Sequence, residues 1–247
     1  MSVSFDFTDD VALVTGASGA LGSAVCTAFA DAGATVAAAD VVAPDDAPLD
    51  AERDRIDFYE GDFTNEDDVA RVVSEVVDTH GGLDYLANIA GTWRGGTPIA
   101  ETDAETFDFL FDVNLKTTFL ASKHAIPHLR GGDGSASDDA PGDRRGAIVS
   151  VSARSSLEGG EGDALYRASK AGVRLLTESI AEEETGEVRA NAVMPSVIDT
   201  PANREMMPDA DHEKWVVPAD IAETVLVLCS EAAGVTSGAA VPVYGEA

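Results

Sequence analysis

VALVTGASGALG, residues 11–22, decides how this chain is read. Its opening, Val11–Val14, is a short apolar run of the kind that forms a buried strand. The turn Thr15–Gly22 then leads into Leu21, Val25 and Phe29, which recur at helical spacing until Asp31-Ala-Gly33 supplies a glycine stop. A glycine-rich turn between strand and helix lets backbone N–H groups and a helix N-terminus meet a pyrophosphate. Gly16 and Gly22 permit the tight turn and the close approach of helix to sheet, with Ser18, Ala20 and Leu21 completing the contact surface. Thr35–Ala39 reads as the second strand, closed by Asp40, 18 residues past Gly22. A carboxylate there accepts hydrogen bonds from the adenosine ribose hydroxyls and repels a 2′-phosphate. No Arg or Lys stands in the glycine turn or just after Asp40, so NAD is expected rather than NADP.

Outward from this unit the pattern repeats. Further strands are predicted near Ile56–Tyr59, Tyr85–Ala87, Ala147–Val151, Val188–Val193 and Ala239–Val243, with helices near 66–79, 103–128, 164–184 and 218–231. Alternation of this kind builds a parallel sheet covered on both faces. The expected fold is α/β: a Rossmann-like, doubly wound, seven-stranded parallel sheet in one domain spanning 1–247. The segment 131–145, rich in Gly, Asp, Ser and Ala, lacks apolar periodicity and reads as an exposed loop. The irregular stretch 200–217 is expected to be a lid, or to pack against a partner subunit through Met206, Met207 and Trp215.

Forty-five acidic residues against 16 basic ones give a net charge of −29, spread along all 247 residues. Such a surface repels nucleic acid and anionic membranes, and neither is expected as a partner. Its self-repulsion is relieved when molar salt shortens the Debye length to roughly 3 Å, so folding or activity is expected to need high salt, as in salt-accumulating halophiles. No apolar run approaches a membrane span and no signal-peptide layout opens the chain, which implies a soluble cytoplasmic protein. Cys26 and Cys229 lie far apart without metal-ligand spacing; they read as buried thiols, and no metal site is expected.

Tyr166 and Lys170 stand four apart at the start of an apolar-periodic helix, on one face. Free tyrosine titrates near 10, and a nearby ammonium together with a positively charged nicotinamide favours the tyrosinate. A phenol so tuned takes the proton of an alcohol as hydride leaves, or returns it to a carbonyl. Lys170 is one of only four lysines in the chain.

From Val11 to its end the chain resembles a classical short-chain dehydrogenase/reductase. The matching pieces are the glycine turn, Asp40, Asp62, Asn88-Ile-Ala-Gly91, Asn114, Tyr166 with Lys170, Asn191-Ala-Val-Met-Pro195 and Ser237-Gly238. The resemblance implies hydride transfer at alcohol or carbonyl groups of a small-molecule substrate, and a homodimer or homotetramer. Asp62-Phe63, after the third strand, stands where it can flank the adenine through a carboxylate acceptor and an aromatic or backbone contact, and in Asn88-Ile-Ala-Gly91 the glycine permits close approach to the cofactor, with Asn88 and Ala90 beside it. The resemblance implies that Asn114 holds a water linking Lys170 to solvent. Lys170 would hydrogen-bond the nicotinamide ribose, while Pro195, Ile198 and Thr200 would cover the nicotinamide.

Three departures stand out. Ala20 replaces the family's middle glycine, with Gly19 just before it in compensation, and Ser196 replaces a glycine after Pro195. Ala153 stands 13 residues before Tyr166, where the family has a serine that hydrogen-bonds the substrate oxygen. Ser152, Ser155 and Arg154 are the candidates for that duty. Strand alternation puts Ser155 on the right side, whereas a one-residue bulge would bring in Ser152, the candidate taken. Trp93, Arg94, Leu165 and Trp215 are expected to line a substrate pocket. The missing serine also favours an alternative, a dinucleotide-binding regulator or partner protein on the same fold.

Overall fold

The computed structural model describes residues 4–130 and 146–246; the loop expected at 131–145 lies outside them. Seven strands form the sheet: β1 Val11–Thr15, β2 Thr35–Asp40, β3 Ile56–Glu60, β4 Tyr85–Asn88, β5 Gly146–Val151, β6 Val188–Pro195 and β7 Ala240–Val243. Their order is β3-β2-β1-β4-β5-β6-β7, and every pairing is parallel. Parallel strands covered on both faces need apolar side chains in both directions. The inner strands β1, β5 and β6 are buried at every position, whereas the edge strands β3 and β7 carry exposed residues.

Successive side chains of β1 serve opposite layers, as the pleat requires. Ala12 and Val14 join Val25 and Phe29 of α1 (Ala20–Asp31) and Ile221 and Val225 of α7 (Pro218–Cys229) on one face. Val11 and Leu13 join Val69, Val72 and Val76 of α2 (Glu66–His80), with Leu120 and Ile180, on the other. The chain runs from β1 outward to β3, then returns to β4 on the opposite side of β1. That reversal opens a crevice at the carboxyl ends of β1 and β4, the usual ligand position in such sheets. Thr15 Oγ1 fastens its floor by accepting from Ile89 N and Ala90 N, each at 3.2 Å.

The helix predicted over 103–128 differs in one respect. It comprises α3 (Ala104–Phe111), a π turn over Asp112–Lys116, and α4 (Thr117–Leu129). Asn114 occupies the π turn, a distortion often found at functional sites. The remaining helices are α5 (Ala164–Glu183) and the short α6 (Pro201–Met206) within the expected lid, which an Ile198–Val216 bridge ties down. Among the described residues, no helix is long and apolar enough to cross a membrane.

Candidate active site

Gly16 has φ of +67°, and a Cβ there would lie 2.7 Å from the backbone N and Cα of Ala90. A side chain would force apart the β1 turn and the turn after β4, so the position requires glycine. Gly19 is extended at the N-cap of α1, and Ala20 takes the first helical place. This N-terminus has no side-chain cap and no acidic residue in its first turn, which leaves its N–H groups and positive dipole end open to an anion. Beside it, Asp40 Oδ2 accepts from Ser18 N and Oδ1 from Val42 N, both at 3.0 Å, while Ser18 Oγ donates to Val42 O at 2.6 Å. The carboxylate is thus pinned against the glycine turn. A bare helix start flanked by a fixed carboxylate fits the pyrophosphate and ribose of a dinucleotide.

The residues expected farther along divide. Asp62 is exposed and its Oδ1 accepts from Thr64 N and Oγ1 at 2.8 and 2.7 Å. For Phe63, expected to meet adenine through its ring or its backbone, the ring is buried in the second core layer, leaving only the backbone for the crevice. Asn88 is also buried, its Nδ2 lying 3.2 Å from Ser122 Oγ and from Ser150 Oγ. It anchors the turn from below. Gly91 is where the close approach occurs, because a Cβ there would meet Lys170 Nζ at 2.7 Å and Asn114 Oδ1 at 3.0 Å.

Tyr166 and Lys170 line a cavity of about 620 Å³ together with Gly91, Ala153, Ser155 and Ile198. Lys170 is 4% exposed and donates from Nζ to Val151 O at 2.9 Å. Asn114 is fully buried; its Oδ1 accepts from Thr92 N at 2.7 Å and its Nδ2 donates to Ser169 Oγ at 3.0 Å. Ser169 Oγ in turn donates to Tyr166 O at 2.8 Å, so the π turn and the first turn of α5 are laced together. Burial pulls the Lys170 ammonium down to about 8. Burial, with Asp163 adding to it and Arg167 opposing it, pushes the Tyr166 phenol up to about 12. The expected lowering of the phenol by the Lys170 ammonium is not seen in the unliganded protein, where burial sets the direction.

Ser152 is a correction. The backbone forms no bulge: Ala153 is extended (φ −159°, ψ 152°) and Ser152 N donates to Val193 O at 2.9 Å. Ser152 borders the cavity, but its Oγ is spent on the protein and donates to Lys170 O at 2.8 Å. Beside it on the cavity wall stands Ala153, which brings a methyl and no hydroxyl.

Pro195, Ser196, Val197 and Ile198 line the cavity, with Ser196 Oγ donating to Tyr244 O at 2.6 Å. Thr200 is not among the lining residues; its hydroxyl caps α6 by accepting from Asn203 N. Of the expected pocket residues only Trp93 lines this space, joined by Met206 and Met207. Arg94 lies 4.0 Å over the ring of Phe109, Leu165 faces a separate small cavity, and Trp215 is buried against His212. Thr15, Thr92 and Ser169, which hold the site together, went unremarked in the sequence. Small polar residues carry no periodic signal.

A family model described as short chain dehydrogenase matches residues 10–211. The chain is 31% identical to the 3-oxoacyl-(acyl-carrier-protein) reductase of Thermotoga maritima, over 95% of this chain and 96% of that protein. It is 32% identical to the cis-4-hydroxycyclohexanecarboxylate dehydrogenase of Sinomonas cyclohexanicum, over 97% and 96%. Among solved structures, a short-chain type dehydrogenase/reductase from Mycobacterium ulcerans superposes with a TM-score of 0.86 at 26% identity, covering 98% of this chain and 90% of that one.

Proposed function

The chain belongs to the short-chain dehydrogenase family, whose members act on CH–OH groups with a nicotinamide cofactor, and on that premise we propose that it is an NAD-dependent alcohol or carbonyl oxidoreductase with Tyr166 as its general acid/base. The observation that carries this reading is the convergence of Tyr166, Lys170 and Gly91 on one cavity at the crevice, with Asn114 locked behind them.

Bound NAD supplies the hydride acceptor and, when oxidised, a positive ring charge. The uncapped start of α1, with Gly16, Ser18, Ala20, Leu21 and Gly22, holds the pyrophosphate; Asp40 takes the ribose hydroxyls and disfavours a 2′-phosphate. Asp62, the Phe63 backbone, Ala90, Pro195 and Ile198 border the rest, with Asn88 and Thr200 bracing their turns. Tyr166 Oη, deprotonated to the tyrosinate when the positive charge of oxidised nicotinamide offsets its burial, takes the alcohol proton during oxidation, and as the neutral phenol gives a proton to the carbonyl during reduction. Lys170, held by Val151 O, brings a positive charge to the cavity that the phenol lines, and Asn114 would hold the water linking Lys170 to solvent.

The relatives named for 3-oxoacyl and hydroxycyclohexane substrates point to a secondary alcohol or its ketone, and the apolar walls of Trp93, Met206 and Met207 suit an alicyclic or acyl body. We further propose one domain over 1–247, working in the cytoplasm of a salt-accumulating cell, as the net charge of −29 favours. Exposed Phe107, Phe119 and Leu175 on α3, α4 and α5 favour a homodimer or homotetramer.

The test is reduction of NAD, against NADP, by a panel of secondary alcohols in molar potassium chloride. Turnover with NAD preferred, reduced about a hundred- to ten-thousand-fold in Tyr166→Phe, supports the enzyme. Tight NAD binding without turnover on the whole panel would support the dinucleotide-binding regulator, which the methyl at Ala153 favours.

A further inference from the structure

We propose that Ser155 is the hydrogen-bond donor to the substrate oxygen, supplying from a 3₁₀ turn the hydroxyl that Ala153 lacks; this rests on the dehydrogenase reading above. Three serines follow β5, and two are spent on the protein. Ser152 Oγ donates to Lys170 O at 2.8 Å, and Ser156, 9% exposed, lies with its Oγ 3.2 Å from Ser152 Oγ. Ser155 differs from both. It is half-buried and lines the cavity that holds Tyr166 and Lys170, as Ser152 also does, but its hydroxyl makes no hydrogen bond to the described residues.

The turn explains how a residue two positions late stays within reach. Ser156 N donates to Ala153 O at 3.0 Å, closing a 3₁₀ turn over Arg154–Leu157 directly after Ala153. Two residues advance roughly 4 Å in such a turn, against about 6.6 Å in a strand. Ser155 therefore remains beside Ala153 rather than moving on along the crevice. Its backbone is also held by the catalytic helix itself. Arg167, next to Tyr166, donates from Nη1 to Ser155 O at 3.4 Å and to Glu158 O at 3.2 Å, and from Nε to Asp163 Oδ1 at 2.6 Å. The guanidinium occupies the space over Gly160, where a Cβ would come within 2.2 Å of Arg167 Cζ. Proton donor and hydrogen-bond donor are thus carried by one clamped unit. Arg154, the other candidate, also borders the cavity, but it is exposed and its guanidinium lies over the ring of Tyr244 at 4.8 Å.

In this role Ser155 forms and breaks no covalent bond. Its O–H points at the oxygen as negative charge grows there, while Tyr166 transfers the proton. A donor aimed at a developing oxyanion contributes about a hundred- to a thousandfold in rate.

The experiment compares Ser155→Ala, Arg154→Ala and the double variant Ala153→Ser/Ser155→Ala with the wild type, using NAD and the best alcohol of the panel. Expected is a fall in kcat of about a hundred- to a thousandfold in Ser155→Ala with NAD affinity unchanged. Recovery of about tenfold or more is expected in the double variant, because its new hydroxyl enters the same cavity. A Ser155→Ala enzyme within about threefold of wild type, or the same loss appearing in Arg154→Ala instead, overturns the assignment. A second measurement needs no turnover: cyclohexanone is titrated into the complex with oxidised NAD, followed by Trp93 fluorescence. About tenfold weaker ketone binding in Ser155→Ala supports the donor, and equal binding overturns it. A wild type that binds this ketone but oxidises no alcohol would sink the dehydrogenase reading alone.

Discussion

Two helix starts in this molecule are built in opposite ways. α2 begins with Asn65, whose side chain accepts from Asp67 N, and carries Glu66, Asp67 and Asp68 in its first turn. α1 begins at Gly19 with no side-chain cap and no acid in its first turn, although 45 of the 247 residues are acidic. The first arrangement satisfies the helix from within its own chain. The second forgoes that stabilisation and keeps positive potential facing the crevice. Avoidance of charge in so acidic a chain is as informative as its presence elsewhere.

The largest test of this contrast removes the geometry that aims α1. Gly16→Val places a β-branched side chain at φ +67° and against the Ala90 backbone. Backbone strain alone costs about 1–3 kcal/mol, and the clash adds to it. The expected outcome is a marked fall in melting temperature together with loss of NAD binding by calorimetry.

A sharper test makes α1 resemble α2. A Cβ at Gly19 would meet only Gly16 O, at 3.4 Å, and φ of −73° suits any residue, so Gly19→Asp is accommodated. A carboxylate about 5 Å from the pyrophosphate, at an effective dielectric near 20, costs about 3 kcal/mol per charge pair. The KM for NAD should rise about a hundredfold while the unliganded protein melts slightly higher. Unchanged KM would break the comparison. The smallest effect is expected from Asn65→Ala, which should cost about 1 kcal/mol of stability in denaturant unfolding and leave NAD affinity as it was.

The sheet was legible because its inner strands are continuous apolar runs bounded by turn residues, as in Val11–Thr15 and Gly146–Val151. Three details of the site were not, for different reasons. Side-chain parity in an extended chain predicts where Ser152 and Ser155 point only while the chain stays extended, and the 3₁₀ turn after Ala153 resets it. The π turn at Asn114 interrupts no apolar pattern, since Leu110 and Leu120 bury on either side of it. It arises where Asn114 bonds to Thr92 and Ser169, partners 22 and 55 residues away in the chain. Phe63 sits one residue from exposed Asp62, and periodicity over so short a turn did not separate ligand face from core.

The buried Lys170 ammonium bears on how this protein would respond to selection. Its pKa falls from 10.5 to about 8, so the folded state releases a proton more readily than the unfolded chain. By linkage, its burial costs stability in full below pH 8 and progressively less as pH climbs toward 10.5. An apolar residue of similar length, such as Met, escapes that cost at neutral pH. A library screened for heat resistance alone would therefore discard this lysine early, and with it the positive charge in the cavity that Tyr166 lines. Only a screen that also demands turnover would keep it.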